Sequence, residues 1–303
     1  PASETPLTML ALMPILEEAG VPPGVVNVLP SRSSGAVVSK MLSDGRIRVI
    51  SFTGSTDVGR KLLHAAADNV IKPAMELGGN APFIVCHDAN IEAAADGLMV
   101  AKMRNLGEAC TAANRIYVHE DIKEKFVDLF SSKMASLKVG NGLDKNIDVG
   151  PLVNAETRDK VEYFVNDALS KGAKLQVGGK RLPGKGFYYP PTVLTDVPDH
   201  AECLHDEIFG PVAAIQTFSD EDEILIRANS TQYGLVAYLY TEDVRRGLRM
   251  SEKLEFGMIG LNRGLVSDPS APFGGVKQSG LGREGSKEGM LEFQETQYIS
   301  TDW

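Results

Sequence analysis

Short apolar runs alternate with longer helix-period patterns along nearly the whole chain, and this alternation limits the fold more than any other feature. "RIRVISF", "APFIVC", "RIYVH", "PVAAIQTF", "LVAYLYT" and "GMIGLN" read as strands. Between them, "STDVGRKLLHAAA", "NIEAAADGLMVAKMRN", "DIKEKFVDLFSSKMASL", "AETRDKVEYFVNDALSKG", "DEDEILIRANS" and "EDVRRGLRMSEKL" carry the 3.6-residue period of helices. Strand following helix in this manner predicts an α/β protein with mostly parallel sheets. Nearer the start, "GVVNVL" reads as a further strand and "SSGAVVSKML" as a helix. "TPLTMLALMPILEEAG" reads as a helix with Thr5 as N-cap, Pro6 in its first turn, Gly20 past its end and a kink at Pro14. Two glycines in "ELGGN" interrupt the pattern, so a boundary is expected after residue 77, with a return segment from about residue 271.

At 303 residues the chain has room for two domains or one large one. A net charge of -9 argues against nucleic acid or an anionic membrane as partner. No apolar run approaches the roughly 20 residues that span a bilayer. "PASETPLTML" has neither the charged region nor the apolar region of a signal peptide, and it opens without Met in what reads as mid-domain sequence, as a fragment or processed chain would. The three cysteines (Cys86, Cys110, Cys203) fall in no metal-binding spacing. An odd count fits a reducing cytoplasm, and any cysteine chemistry would come from a free thiol.

Four stretches bear on function. In "RVISFTGSTDVGR" a strand runs into Thr53, Gly54 and Ser55 before a helix begins, a turn whose free N–H groups suit an anion, although such turns are common without ligands. Gly280, Gly282 and Gly285 spell G-x-G-x-x-G, but no strand leads into them, so we read a glycine-rich connecting loop rather than a dinucleotide fingerprint. Glu76 in "MELGGN" lies among apolar residues, where a carboxyl of raised pKa can serve as general base; an exposed turn glutamate is the plainer reading. Cys110 in "GEACTAANR" is flanked by small residues, as a nucleophile needing close approach would be, although most lone cysteines are structural. Cys86 ends a core-like run, whereas Cys203 in "HAECLHDE" is expected to be partly exposed.

Taken together and in order, "FTGS", "ELGGN", "GEAC", "EIFGP" and "PFGGVKQSGLGREG" resemble the aldehyde dehydrogenase superfamily, over essentially the whole chain. The intervals of 34 residues from Glu76 to Cys110 and 97 from Cys110 to Glu207 fit that resemblance. The tail is most similar to the succinate-semialdehyde dehydrogenase branch. The resemblance implies residues 1–77 as the C-terminal part of a Rossmann-type cofactor domain, 78–270 as an α/β catalytic domain, and 271–303 as a return segment ending in an oligomerisation strand. It implies oxidation of an aldehyde to a carboxylic acid through a thiohemiacetal and a thioester, with Cys110 as nucleophile and Glu76 as the base that activates water. Gly54, Ser55, Leu77, Glu207 and Phe209 then match cofactor-contacting positions. Arg104 and Ser267 match residues that hold the far carboxylate of succinate semialdehyde, for which a guanidinium fork and a hydroxyl are a sound receptor.

Ser3 stands where NAD-preferring relatives often carry Glu. Its lack of charge, and Arg32 as a cation that could be added there, point to NADP over NAD as coenzyme, or to use of both. Ala112 replaces a second cysteine found in some relatives, so no disulfide switch is expected. The resemblance further implies a homodimer or homotetramer. It also places an oxyanion-hole Asn and a cofactor-contacting Lys ahead of Pro1, so this chain by itself is expected to be impaired. The alternatives are a dehydrogenase for glutarate-type, aliphatic or aromatic aldehydes, or a non-catalytic relative; a low-pKa Cys110 that outpaces Cys86 toward thiol reagents would separate these.

Overall fold

The computed structural model describes all 303 residues. The elements in chain order are α1 (Pro6–Glu18), α2 (Ser34–Leu42), β1 (Val49–Thr53), α3 (Thr56–Ala67), β2 (Lys72–Glu76), β3 (Ala81–Val85) and α4 (Ile91–Met103). Then come β4 (Ala113–His119), α5 (Lys123–Ser136), α6 (Ala155–Ser170), β5 (Lys174–Val177), β6 (Thr192–Thr195) and β7 (Val212–Phe218). The series ends with α7 (Glu221–Asn229), β8 (Val236–Tyr240), α8 (Val244–Lys253), β9 (Met258–Leu261), β10 (Gly280–Leu281) and α9 (Ser286–Leu291).

Two compact units are present: Pro1–Ile50 with Arg60–Pro73, and Ser51–Gly59 with Ala74–Trp303. The first has a small core in which Leu42, Ala66 and Ile71 pack with Val38, Ile47 and Leu62. Its helix α1 runs through Pro14 without a break, and Thr5 holds the N-cap position without a side-chain capping bond. "GVVNVL" forms no strand. Val25 and Leu29 are exposed there, and the segment closes a local turn in which Asn27 Nδ2 donates to the Gly24 carbonyl at 2.8 Å. β-propensity is realised only where a neighbour supplies the ladder.

The second unit is built on a seven-stranded sheet of order β5-β6-β7-β4-β3-β8-β9, parallel except for the antiparallel edge pair β5–β6. Alternation along the strands loads both faces. Phe83, Val85, Ile116, Val118 and Tyr238 point into a core that includes Ala94, Leu98, Phe126 and Phe130 of α4 and α5. Ile84, Cys86, Tyr117 and Leu239 point the other way, onto Ile224, Leu225 and Met250 of α7 and α8. A third cluster joins α6 to β6 and β7 and contains Cys203, which is fully buried rather than partly exposed. Its polar sequence neighbours conceal a short turn, Glu202–Leu204, that points the thiol inward. His205 turns away to bond the Asp199 carbonyl at 2.7 Å, so the two residues form no pair. No helix is long and apolar enough to cross a membrane.

Candidate active site

Three loops converge because of strand order. "LGGN" precedes β3, "GEACT" precedes β4 and "EIFGP" precedes β7. These strands are neighbours, in the order β7-β4-β3, and parallel, so the segments leading into them lie at one edge of the sheet. There they border a cavity of about 590 Å³, the size of an ordinary small-molecule site. Cys110, Glu76, Leu77, Glu207 and Phe209 line it, together with Gly54 and Ser55 from the turn before α3.

Glycines allow these groups to approach one another. A Cβ on Gly79 would lie 2.3 Å from the Cys110 carbonyl oxygen, and one on Gly78 would lie 3.0 Å from Glu207 Oε2. The Gly79 N–H donates to Glu207 Oε1 at 3.3 Å. Gly59 makes way for Leu77, whose Cδ2 would be 2.4 Å from a Cβ there. The G-x-G-x-x-G segment serves the same edge: Gly280 pairs with Glu76 in the β2–β10 ladder, where a Cβ would lie 1.9 Å from the Met75 carbonyl oxygen. It is a connecting loop that lends two residues to a sheet.

The Cys110 loop is held at both ends. Ahead of it, Asn105, Leu106 and Gly107 turn through three successive left-handed conformations, with φ of 49°, 60° and 76°. That reversal presses Gly107 against the Gly210 carbonyl of the "EIFGP" loop. Behind it, Tyr238 donates to the Thr111 carbonyl at 2.8 Å. Phe209 also has a positive φ, 53°, which for a bulky residue marks strain stored at the cavity wall.

Burial dominates the electrostatics. Glu76 is buried, and its Oε2 has no hydrogen-bond partner. Desolvation first, then the charge of Glu284, pushes its pKa up to about 8 against the pull of Arg283. Glu207 is pushed up to about 7 by burial, opposed by the Gly79 N–H and the charges of Lys160 and Lys102. Cys110 is pushed up to about 11 by burial and by the charges of Glu207 and Glu76, with Arg104 pulling weakly the other way. Burial first, and then the two carboxyl groups in the same cavity, oppose the thiolate. Cys86 and Cys203, both pushed up to about 12 by burial, are more inert still.

The cavity omits some expected residues and adds others. Arg104 is exposed, donates to Thr111 Oγ1 at 2.9 Å and does not line the cavity; nor does Ser267, also exposed. Ser3 and Arg32 are exposed in the first unit. Three polar lining residues were missed: Glu108, Thr157 and Lys160. Glu108 accepts from the Val153 N–H at 3.0 Å, and burial raises its pKa. Its place two residues before Cys110 was a usable signal. Thr157 and Lys160, from the first turns of α6, gave none.

The chain is similar to known proteins over nearly its whole length. Residues 1–299 match the model of the aldehyde dehydrogenase family. The chain is 50% identical to a succinate-semialdehyde dehydrogenase of Paenarthrobacter nicotinovorans, over 99% of this chain and 66% of that protein. It is 46% identical to a glutarate-semialdehyde dehydrogenase of Pseudomonas aeruginosa, over 99% of this chain and 62% of the relative. An E. coli NADP-dependent enzyme of known crystal structure superposes with a TM-score of 0.96 at 44% identity, covering 97% of this chain and 61% of that one. The chain thus spans at most about two thirds of the length of these relatives.

Proposed function

The chain belongs to the aldehyde dehydrogenase family, and we propose that it carries the catalytic part of an NAD(P)-dependent dehydrogenase that oxidises succinate semialdehyde to succinate. The observation that carries this reading is the meeting of Cys110, Glu76 and Glu207 in one cavity bounded by the Gly54–Ser55 turn. The residues fit a nicotinamide coenzyme: bare glycines at 54 and 78, the Ser55 hydroxyl and the Glu207 carboxylate would hold it. When bound, it supplies the acceptor for the hydride that leaves the thiohemiacetal.

In this reading Cys110 gives its proton to the carboxylate form of Glu76 and attacks the aldehyde carbon, and Glu76 passes that proton to solvent before hydrolysis. The Cys110 backbone N–H supports the oxyanion that forms. Glu76 then takes a proton from the water that cleaves the thioester, releasing the acid and restoring the thiol. With a pKa of about 8, Glu76 is mostly neutral at pH 7, which spares the Cys110 thiolate a second opposing charge during attack. As the pH passes 8 it becomes the competent base.

Arg104 and Ser267 are proposed to receive the far carboxylate of the substrate. Ser3 is proposed to admit NADP as well as NAD, a preference supported by the NADP-dependent E. coli relative. Residues 1–77 are assigned to the coenzyme domain, 78–270 to the catalytic domain, and 271–303 to the return and oligomerisation segment. Exposed Phe293, Tyr298 and Ile299 support association of copies through that last segment. A glutarate-type substrate is the second reading, favoured by the Pseudomonas aeruginosa relative.

The test is coenzyme reduction with succinate semialdehyde and with glutarate semialdehyde, supplying NADP and NAD separately, on the chain extended at its N-terminus, as the resemblance implies the active protein to be, and on the Cys110→Ala variant of that form. Reduction that disappears in the variant is expected. Reduction that survives it, or none with any aldehyde, overturns the reading.

A further inference from the structure

One buried guanidinium, bonded to the segment that follows the cavity-lining Gly78, has no part in the mechanism above. Arg115, on β4, is buried, and its charge is answered by carbonyl oxygens rather than by a carboxylate. Its Nε and Nη2 both donate to the Asn80 carbonyl, at 3.0 and 2.9 Å. Nη2 donates again to the Ala228 carbonyl at 2.9 Å. Nη1 donates to the Arg227 carbonyl at 3.1 Å and to the Tyr117 hydroxyl at 3.4 Å. Together these bonds engage every N–H group the side chain has. The two helix carbonyls are among the last of α7, the negative end of its dipole, where a cation is favoured. Burial pulls the pKa of Arg115 down, but a guanidinium keeps its proton at any working pH.

Asn80 is where this grip bears on the site. The residue before it, Gly79, donates to Glu207 and lies against the Cys110 carbonyl. Its own buried side chain donates from Nδ2 to the Leu204 carbonyl at 2.9 Å, three residues ahead of Glu207. Asn80 therefore joins the segment entering β3 to the loop entering β7, and Arg115 anchors it to the end of α7. We propose that Arg115 is a positioning residue: by tying the Asn80 carbonyl to α7, it holds Gly79 where it sets Glu207 and the Cys110 loop. The proposal rests on the dehydrogenase reading for what Glu207 and Cys110 do, but the tether itself does not need it. A lysine in its place keeps the charge but offers three N–H groups from a single atom, so it cannot grip Asn80 and both helix carbonyls together.

Amide hydrogen exchange, read by mass spectrometry on the N-terminally extended protein, tests the tether without calling on activity. Arg115→Lys is compared with the parent and with Arg227→Met. Arg227 is the control because its side chain bonds the Thr217 carbonyl and Glu223 beside the same helix end but not Asn80. Amides in the middle of β4 and β7 report global stability, and any change in them is divided out. The peptide spanning residues 77–83 should then exchange about 10–100-fold faster in Arg115→Lys, the worth of a hydrogen bond to a charged group, and at the parent rate in Arg227→Met. In coenzyme reduction with succinate semialdehyde, Arg115→Lys should raise the KM for coenzyme about tenfold with little change in the KM for aldehyde, and Arg227→Met should move neither. Arg115→Gln, which drops the charge and keeps an amide donor, serves if Arg115→Lys does not fold. Exchange in the 77–83 peptide that follows global stability alone, equal effects in Arg227→Met, or failure of both Arg115 variants to fold overturns the proposal in favour of a purely structural arginine. A coenzyme KM that stays at the parent value while the peptide loosens overturns it as well. A parent that reduces no coenzyme defeats the dehydrogenase reading instead, and the exchange rates still decide the tether.

Discussion

Replacing Gly79 by Ala tests whether backbone contact between two loops holds the cavity together. The added Cβ would lie 2.3 Å from the Cys110 carbonyl oxygen, where ordinary contact begins at 3.4 Å. The overlap falls on backbone, so no rotamer change relieves it. The other side is closed too, with Leu235 Cβ 3.4 Å from the new atom. Either the Cys110 loop or the start of β3 must move by about 1 Å, an overpacking expected to cost about 1–3 kcal/mol. For a unit of this size that lowers Tm by roughly 2–4 °C per kcal/mol. The same movement shifts Cys110 relative to Glu76 and lengthens the Gly79 N–H bond to Glu207, so activity should fall by about 10²-fold. Thermal unfolding followed by circular dichroism, with coenzyme reduction alongside, reads both effects. Gly142→Ala is the control, since nothing lies within 4 Å of a Cβ there. If Gly79→Ala matches that control in Tm and activity, the close approach does not organise the site.

Glu76→Gln should slow turnover by about 10²–10⁴-fold while leaving a first-turnover burst of reduced coenzyme, because it removes the base for thioester hydrolysis and keeps the nucleophile. In the parent, the hydrolytic step should accelerate as pH rises through about 8; a flat profile from pH 6 to 9 would refute that role. The same group makes stability pH-dependent. Its folded pKa lies above its unfolded value of about 4.5, so its contribution is complete below that value and is lost as pH rises to about 8. Denaturant titrations should show this decline in the parent and its absence in Glu76→Gln. Arg104→Ala should raise KM for carboxylated semialdehydes by roughly 10–100-fold, the worth of a charge-assisted hydrogen bond, and leave uncharged aldehydes nearly unaffected. Equal losses for both would remove Arg104 from substrate binding.

The sequence by itself determined the fold class and most elements of the second unit, because the two periodicities are local and each strand finds a neighbour to complete its ladder. It also supplied the motifs that carry the family resemblance, and with them Cys110, Glu76, Glu207 and Phe209, all of which line the cavity. "GVVNVL" has the composition of a strand and forms none, since composition cannot supply a partner strand. Cys203 is buried although its neighbours are polar, because a short turn sets its direction. Only the tertiary structure decided where the site lies. The loops meet before the first residues of β3, β4 and β7, whereas the usual expectation for open parallel sheets is the carboxyl ends of strands. Strand order β7-β4-β3 is a property of the whole fold and leaves no mark in any one segment. The pKa of Cys110 belongs with it: the sequence showed small neighbours that admit a substrate, and the fold buried the thiol in a cavity that two carboxyl groups also line. Lys102 and Lys160 read as ordinary helix lysines until α4 and α6 are packed. One then lies enclosed beneath the cavity and the other at its rim, because burial and charge partnership are decided by what a helix end is packed against.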